Sequence, residues 1–398
     1  MSTDDPVTDP DERLAHLRGA LRLTRAGVEL AADIAQDVHR AIADPPLSVA
    51  DQIPVGRAAR IAHDGIRDGI YASVRGINRL VFGALDRALA HAGPALAPPA
   101  AIPGPLVGLL HGVLGDRLSR DRSPLRTAMQ LRHRGRHLPL TRRALADAFP
   151  APRERLVVFV HGLAADETCW RRGSADAWGR PDADYGALLA ERHDLVPLYL
   201  RYNSGLRIAD NGRALAELLR RLVAAWPVPP RDVLLVGHSM GGLVVRSACH
   251  HGRRGGDAWT ELVRDIVCLG APHRGAVLEK FGALAVTALG AFSVTAPIAR
   301  AIDLRSDGIK DLRHGTTRDD DGDEASLPHA RYHDLAGTIG PAGHPLAWAI
   351  GDGLVRVTSA TPEGRHDIRR TTLAGVHHLR MLNHPEILAL LESLLAER

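Results

Sequence analysis

Gly237-His238-Ser239-Met240-Gly241 sets a serine between two glycines. The residues before it, Asp232 to Val236, are a run rich in Val and Leu that reads as a buried strand. From Gly241 onward the pattern reads as a helix. A serine on a sharp strand-to-helix turn has its hydroxyl lifted above the edge of the sheet, where it can act as a nucleophile. Gly237 and Gly241 lack a Cβ, so the turn can be tight. The amide N–H of Met240 then points to where an oxyanion would form.

A serine hydroxyl needs a base within hydrogen-bond reach, and the base needs a group that fixes its tautomer. On this kind of turn the chain order is serine, acid, histidine. Downstream, Ala374-Gly375-Val376-His377-His378-Leu379 lies after a strand-like segment and before the last helix. His377, His378 and, before Pro385, His384 are the candidate bases. For the acid, Gly351-Asp352-Gly353-Leu354-Val355 puts a carboxylate in a tight turn, and Asp-Gly is a common turn pair. Asp352 is the first choice, with Asp334 and Asp367 as alternatives. Upstream, His161-Gly162-Leu163 follows an apolar run, and its glycine lets the loop curl back so that the Leu163 N–H joins that of Met240 in an oxyanion hole.

These residues need a sheet to hold them. Arg155 to Val160 is continuously apolar after its first residue, as expected of a strand covered on both faces. Residues 195–202, 232–237 and 265–270 read as further strands, with 331–338 and 354–358 as weaker ones. Helices are expected over 141–148, 208–226 and 386–396. Strands alternating with helices predict an α/β fold with a doubly wound, mostly parallel sheet.

Ahead of the sheet, apolar residues recur at helical spacing from Asp11 to about Asp44, ending at Pro45-Pro46, and again from Gly56 onward. Gly69, Gly76 and Gly83 recur every seven residues in the second helix. Glycine inside a helix is costly, so the stripe predicts close approach of another helix. The domain reading is an N-terminal amphipathic helical arm over 1–91, a Pro-rich linker over 92–105 and a catalytic domain over 106–398. Residues 106–114 read as a short apolar helix, and a lid-like insertion is placed near 276–330 because 281–299 carries no charge. Packing of the arm on the catalytic domain is favoured over a lipid-surface role, which remains the alternative because basic amphipathic helices can lie on membranes.

Composition excludes several classes. The formal charge is +4 and Lys280 and Lys310 are the only lysines, so the basic charge is arginine spread along the chain. A nucleic-acid binder clusters such charge on one face, and no nucleic-acid partner is expected. Cys169, Cys249 and Cys268 have no metal-ligand spacing, so no disulfide framework and no metal site is expected. The acidic run Arg318 to Glu324 fails the calcium-loop spacing, since position twelve counted from Thr317 is Pro328. The polar N-terminus carries no secretory pattern, and a cytoplasmic address is the default.

Together, Val160-His161-Gly162-Leu163, Gly237-His238-Ser239-Met240-Gly241-Gly242, Leu269-Gly270-Ala271-Pro272-His273-Arg274-Gly275 and Gly351-Asp352-Gly353-Leu354-Val355 resemble the α/β-hydrolase superfamily. The chain is most similar to bacterial lipase/esterase-like proteins related to the GPI inositol-deacylase group. The resemblance covers roughly 150–398 and leaves 1–105 uncovered. Arg356 stands where relatives often have proline. The resemblance implies hydrolysis of carboxylic esters or lipids through an acyl-enzyme on Ser239, with no cofactor. It also selects His378, the histidine directly before a leucine, as the base. The alternatives are an acyltransferase on the same triad, or a catalytically silent scaffold that binds lipid or a partner through its N-terminal helices.

Overall fold

The computed structural model describes residues 10–50, 54–93, 104–275, 306–315, 327–339, 351–361 and 368–397. Residues 281–299, the acidic run at 318–324, Asp367 and residues 94–103 of the expected linker lie outside the described residues.

Three helices come first: α1 (Pro10–Ala50), α2 (Pro54–Ala92) and α3 (Gly104–Arg120). A strand pair follows, β1 (Gln130–His133) and β2 (Arg136–Leu138), then α4 (Arg142–Ala148), capped by the Thr141 side chain. Next come β3 (Arg155–Val160), α5 (Ser174–Trp178), α6 (Tyr185–Arg192), β4 (Val196–Arg201) and α7 (Ile208–Ala225). The chain continues with β5 (Asp232–His238), α8 (Met240–Gly255), β6 (Val263–Leu269), α9 (Asp307–His314) and β7 (Arg331–Thr338). It closes with α10 (Val357–Ala360), β8 (Ile368–Ala374) and α11 (Pro385–Ala396).

Among the described residues the sheet has eight strands in the order β2-β1-β4-β3-β5-β6-β7-β8. From β4 to β8 every neighbouring pair is parallel, and the β1–β2 hairpin adds antiparallel to the β4 edge. Every residue of β5 is buried, which is why its sequence is a continuous apolar run. Val233 and Leu235 join the core on one face, with α7 and α8, while Leu234 and Val236 join the core on the other, with α6 and α11. The chain runs from β3 out to β4 and then back past β3 to β5. That reversal opens a crevice at the C-terminal ends of β3 and β5, the place where sheets of this kind hold ligands.

Several boundaries depart from the sequence-based expectation. The first helix passes through Pro45-Pro46 and continues to Ala50, although an interior proline removes an amide donor and crowds the preceding turn. Gly104 and Pro105, read as the end of the linker, instead open α3, where proline fits the first turn. The β1–β2 hairpin was not anticipated; it turns on Arg134 and Gly135, both with positive φ, as a two-residue hairpin loop requires. Residues 354–358 form no strand. Gly351 and Gly353 have φ of 66° and 100°, and Asp352 accepts the Leu354 and Val355 amides, so the chain turns tightly and enters α10.

The glycine stripe of α2 also departs from expectation. A Cβ built on Gly69 or Gly76 meets nothing within 4 Å, so no described helix approaches them. The hairpin of α1 and α2 is held by other residues. Arg18 and Arg22 both reach Asp86, Arg75 reaches Asp33, and Gln36 donates to Asp68. The contact of α1 with the sheet-bearing body lies near its start. Gly19 rides over Leu125, Leu23 packs on the Leu110, Val113, Leu118 and Leu125 cluster, and Glu12 approaches Arg132 and Arg201. Among the described residues, no helix is long and apolar enough to cross a membrane.

Candidate active site

Ser239 sits between β5 and α8 with φ 55° and ψ −125°. A non-glycine residue at positive φ is strained, and here three close approaches hold it. Its amide donates to the Leu269 carbonyl at 2.8 Å. A Cβ on Gly241 would lie 2.2 Å from the Val160 carbonyl oxygen, and one on Gly237 would lie 2.5 Å from the Gly242 nitrogen. Only glycine allows β3, β5 and the start of α8 to meet this closely.

The Asp352 turn and the 374–379 loop bring acid and base together. His378 Nδ1 lies 2.7 Å from Asp352 Oδ2, and both side chains are buried. The other carboxylate oxygen accepts the Leu354 amide at 3.0 Å and the Val355 amide at 2.8 Å. The backbone N–H of His378 donates to the Asp352 carbonyl at 3.0 Å, tying the two loops directly. Burial pushes the Asp352 carboxyl up, but the His378 ring and the two amides outweigh it and leave the group below its usual value. An ionised Asp352 only accepts, so Nδ1 carries the proton and Nε2 of a neutral ring is left as the acceptor.

The other candidates are placed elsewhere. His377 is exposed at the start of the short turn holding His378. His384 lies beside Tyr185, whose hydroxyl accepts its amide. Asp334 is buried in β7 against His273 at 3.2 Å and Arg246 at 3.7 Å, so its charge is met by that guanidinium instead of by His378. Cys268 shares this cluster, its Sγ lying within 4.8 Å of donor atoms of His273 and Asp334.

Two histidines that the sequence reading did not assign hold the site in place. Burial pushes the His238 ring down to about 3, so it is neutral, and its Nε2–H donates to the His378 carbonyl at 3.1 Å. His161 is likewise neutral, pushed down by burial to about 4. Its Nδ1–H donates to the Gly162 carbonyl, its Nε2 accepts the Tyr202 amide, and its ring stacks on Tyr202 at 4.3 Å. This fixes the loop carrying Leu163. Gly162 lies against Ser239, with a built Cβ 3.0 Å from the serine Cβ. Leu163 follows Gly162 on the β3 side and Met240 follows Ser239 at the start of α8, so both residues adjoin the serine.

A cavity of about 300 Å³ joins these residues. Ser239, His238 and His378 lie in its wall, and the rest is largely apolar: Leu163, Leu354, Leu379, Leu382 and, from α9, Ile309. One wall is α3, through Pro105, Leu109, Gly112 and Val113. A Cβ on Gly112 would meet Ala164 at 2.5 Å, and one on Gly108 would meet the Ala165 carbonyl at 2.6 Å. The Ser306 hydroxyl donates to the Gly112 carbonyl, and Asn203 donates to the Gly115 carbonyl. The sequence held a signal for this contact in the four-residue spacing of Gly104, Gly108 and Gly112, which puts all three on one helix face.

The parallel sheet, the reversal beside β3 and the serine on its strained turn define the α/β-hydrolase fold. Residues 152–289 match the model of the PGAP1-like alpha/beta domain family, a span that holds β3 to β6 with Ser239 and ends before Asp352. That match agrees with the GPI inositol-deacylase-like resemblance of the motifs. No curated protein matches the chain. Among solved structures, the esterase RhEst1 from Rhodococcus sp. is similar at 15% identity, with 61% of this chain and 90% of that one covered and a TM-score of 0.37. A lipase-esterase related protein from Clostridium acetobutylicum is similar at 13% identity over 61% of this chain and 94% of that one, with a TM-score of 0.36. The RedJ thioesterase of the prodiginine pathway in Streptomyces coelicolor is similar at 18% identity over 63% and 92%, with a TM-score of 0.35.

Proposed function

We propose that this protein hydrolyses carboxylic esters through an acyl-enzyme on Ser239. His378 Nε2 takes the serine proton as Oγ attacks the ester carbonyl. The Leu163 and Met240 amides receive the oxyanion. His378 then protonates the departing alkoxide, and the acyl-enzyme remains. Water attacks it by the same route in reverse, giving the acid and restoring Ser239. Asp352 holds the His378 tautomer and stabilises the imidazolium formed in each half. No resident cofactor is part of this scheme.

The observation that supports it most is the 2.7 Å bond from Asp352 to His378, whose ring lines the same cavity as Ser239. The apolar lining suits a short to medium acyl chain. In this reading the chemistry belongs to residues 106–398 together with the start of α3, and the arm over 1–91 takes no part in it.

Turnover of a p-nitrophenyl ester and labelling by a fluorophosphonate test the assignment. Ser239→Ala should lose both while folding normally. His378→Ala and Asp352→Asn should lower turnover on the order of 10³-fold or more. His377→Ala and Asp334→Asn, if folded, should keep most of it. A fully active Ser239→Ala would end the proposal, and an inactive His377→Ala would move the base by one residue.

A further inference from the structure

The loop after β3 passes Ser239 at Gly162 and runs on through Leu163 and Ala164, and two side chains tie its peptide groups. In the peptide joining Gly162 to Leu163, the carbonyl accepts His161 Nδ1–H at 2.9 Å. A trans, planar peptide sends its N–H the opposite way from its carbonyl, so the Leu163 N–H points off the His161 ring. In the peptide joining Leu163 to Ala164, the Ala164 N–H donates to the Ser204 hydroxyl at 3.0 Å. The chain then bends at Ala164, whose φ is 57°. Alanine is strained there, because its Cβ crowds the backbone and it has no polar side chain to bond locally. Among the described residues four non-glycines have positive φ, and of these Ser239 and Ala164 line the cavity. Such strain persists where the surroundings over-determine it, and it gathers at functional sites.

The surroundings of Ala164 are α3, through Gly112, and the turn between β4 and α7, through Ser204. That turn is itself fixed from four directions. The Tyr202 hydroxyl donates to the His161 carbonyl at 2.8 Å, and Asn203 Nδ2 donates to the Gly115 carbonyl of α3 at 2.8 Å. Asn211 Nδ2 of α7 donates to the Asn203 carbonyl at 3.0 Å, and the Gly308 amide of α9 donates to the Gly205 carbonyl at 3.0 Å. None of these four bonds uses the Ser204 side chain. Ser204 is fully buried, so its hydroxyl is a fixed acceptor aimed at the loop. A hydroxyl also accepts without bringing a negative charge, which a carboxylate in this place would set against an oxyanion.

We propose that Ser204 is a positioning residue of the Ser239 site: by holding the Ala164 amide it keeps the strained loop in the conformation that presents the Leu163 N–H to the oxyanion. The proposal rests on the ester hydrolysis assigned to Ser239. A donor fixed in advance does not reorient as the charge forms, so its benefit appears in the transition state and not in substrate binding. Without the Ser204 acceptor, the Ala164 amide is free to swing toward the cavity and to take the Leu163 peptide with it.

The test compares the full chain with Ser204→Ala and Ser204→Thr on a p-nitrophenyl ester and on an alkyl trifluoromethyl ketone, which forms an anionic tetrahedral adduct on a reactive serine. Turnover is counted per site labelled by a fluorophosphonate, so misfolded protein drops out. Ser204→Ala should lower kcat about tenfold or more, short of the roughly 10²- to 10³-fold of a donor lost outright. Its KM should stay within about twofold of the parent value. The inhibition constant of the ketone should rise by the factor by which kcat/KM falls, because both report the filled oxyanion site. Ser204→Thr keeps the hydroxyl and should restore both; if it does not fold, the agreement of the two factors in Ser204→Ala decides alone. A merely structural role would lower the melting temperature and leave the ketone constant unchanged, and that result would overturn the proposal. An active parent with a Ser204→Ala variant at parental kcat would overturn it too, leaving the reaction at Ser239 standing. A parent chain that neither turns over the ester nor takes the fluorophosphonate would remove that reaction, and this proposal with it.

Discussion

Helices α2 and α3 both carry glycine at regular intervals, every seven residues in α2 (Gly69, Gly76, Gly83) and every four in α3 (Gly104, Gly108, Gly112). Either spacing keeps the glycines on one face. In α3 that face is pressed onto Ala164 and Ala165, so closely that no side chain fits. In α2 it is open at Gly69 and Gly76. The difference comes from the polar residues. Those of α2 find their partners on α1 and turn the glycines away from it. In α3, Leu110, Val113 and Leu118 sink into a core with Leu125, which turns the glycines down onto the loop beside Ser239. A stripe of small residues shows which face can be approached closely, and the surrounding polar and apolar residues decide whether it is.

The same substitution in each helix tests this directly. Gly112→Ala should produce the largest effect, because its methyl would sit 2.5–2.9 Å from Ala164 atoms that include backbone. Stability should fall by about 1–3 kcal/mol, as for other overpacked sites. Ester turnover should fall further, since the displaced residues adjoin Leu163. A thermal melt and a p-nitrophenyl ester assay on one preparation read both. A Gly112→Ala protein with parent-like melting and turnover would break the comparison.

A smaller effect distinguishes what holds each helix. The α1–α2 seam depends on carboxylates. Hydrogen bonds from Arg67 and then Gln36 hold Asp68 down at about 2. At Asp86, burial raises the carboxyl, and Arg18 and Arg22 outweigh it. Both folded-state values are depressed, so their stabilisation is complete above the unfolded value of about 3.9 and is lost as pH falls toward 2. Spin labels on α1 and α2 should separate through that window. All five tryptophans lie outside the hairpin, so their fluorescence reports the body independently. Simultaneous loss of both signals would show the seam to be no weaker than the body.

The smallest expected change is a gain. Gly76→Ala places a methyl in open space and removes a helix-interior glycine, so stability should rise by about 0.5–1 kcal/mol. A loss on the scale of Gly112→Ala would mean that another helix does approach Gly76.

The parts of this molecule legible in the sequence are those set by local pattern. The strands β3 (Arg155–Val160) and β5 (Asp232–His238) fall where apolar runs placed them, because a strand buried on both faces has no alternative use for such a run. Ser239 was legible because its turn needs glycine on both sides. Asp352 was readable as a turn, but Leu354, Val355 and Val357 mimic a strand when the two glycine φ values are unknown. The β1–β2 hairpin escaped notice because its strands are short and rich in Arg and His. The role of α3 was legible only as a face that its glycine spacing marks for close approach. Its apolar pattern signals burial, but nothing local says that the burial is against the loop carrying Leu163 and against Ser306.

That last contact has a consequence for how the chain reaches its final form. Helix α3 leaves the ribosome before any strand of the sheet, yet its landing points come much later. Ala164 and Asn203 are roughly half a hundred to ninety residues on, and the Ser306–Gly112 bond spans 194 residues. Until those partners exist, Leu109 and Val113 have no cavity to face. Contacts of such long sequence separation form slowly, because their loop-closure entropy is lost before they can be made. The wall of the cavity beside Ser239 should therefore settle among the last steps of folding. In the interval, an apolar helix waits in the open beside a chain still being made, the circumstance in which newly synthesised proteins are most prone to associate wrongly.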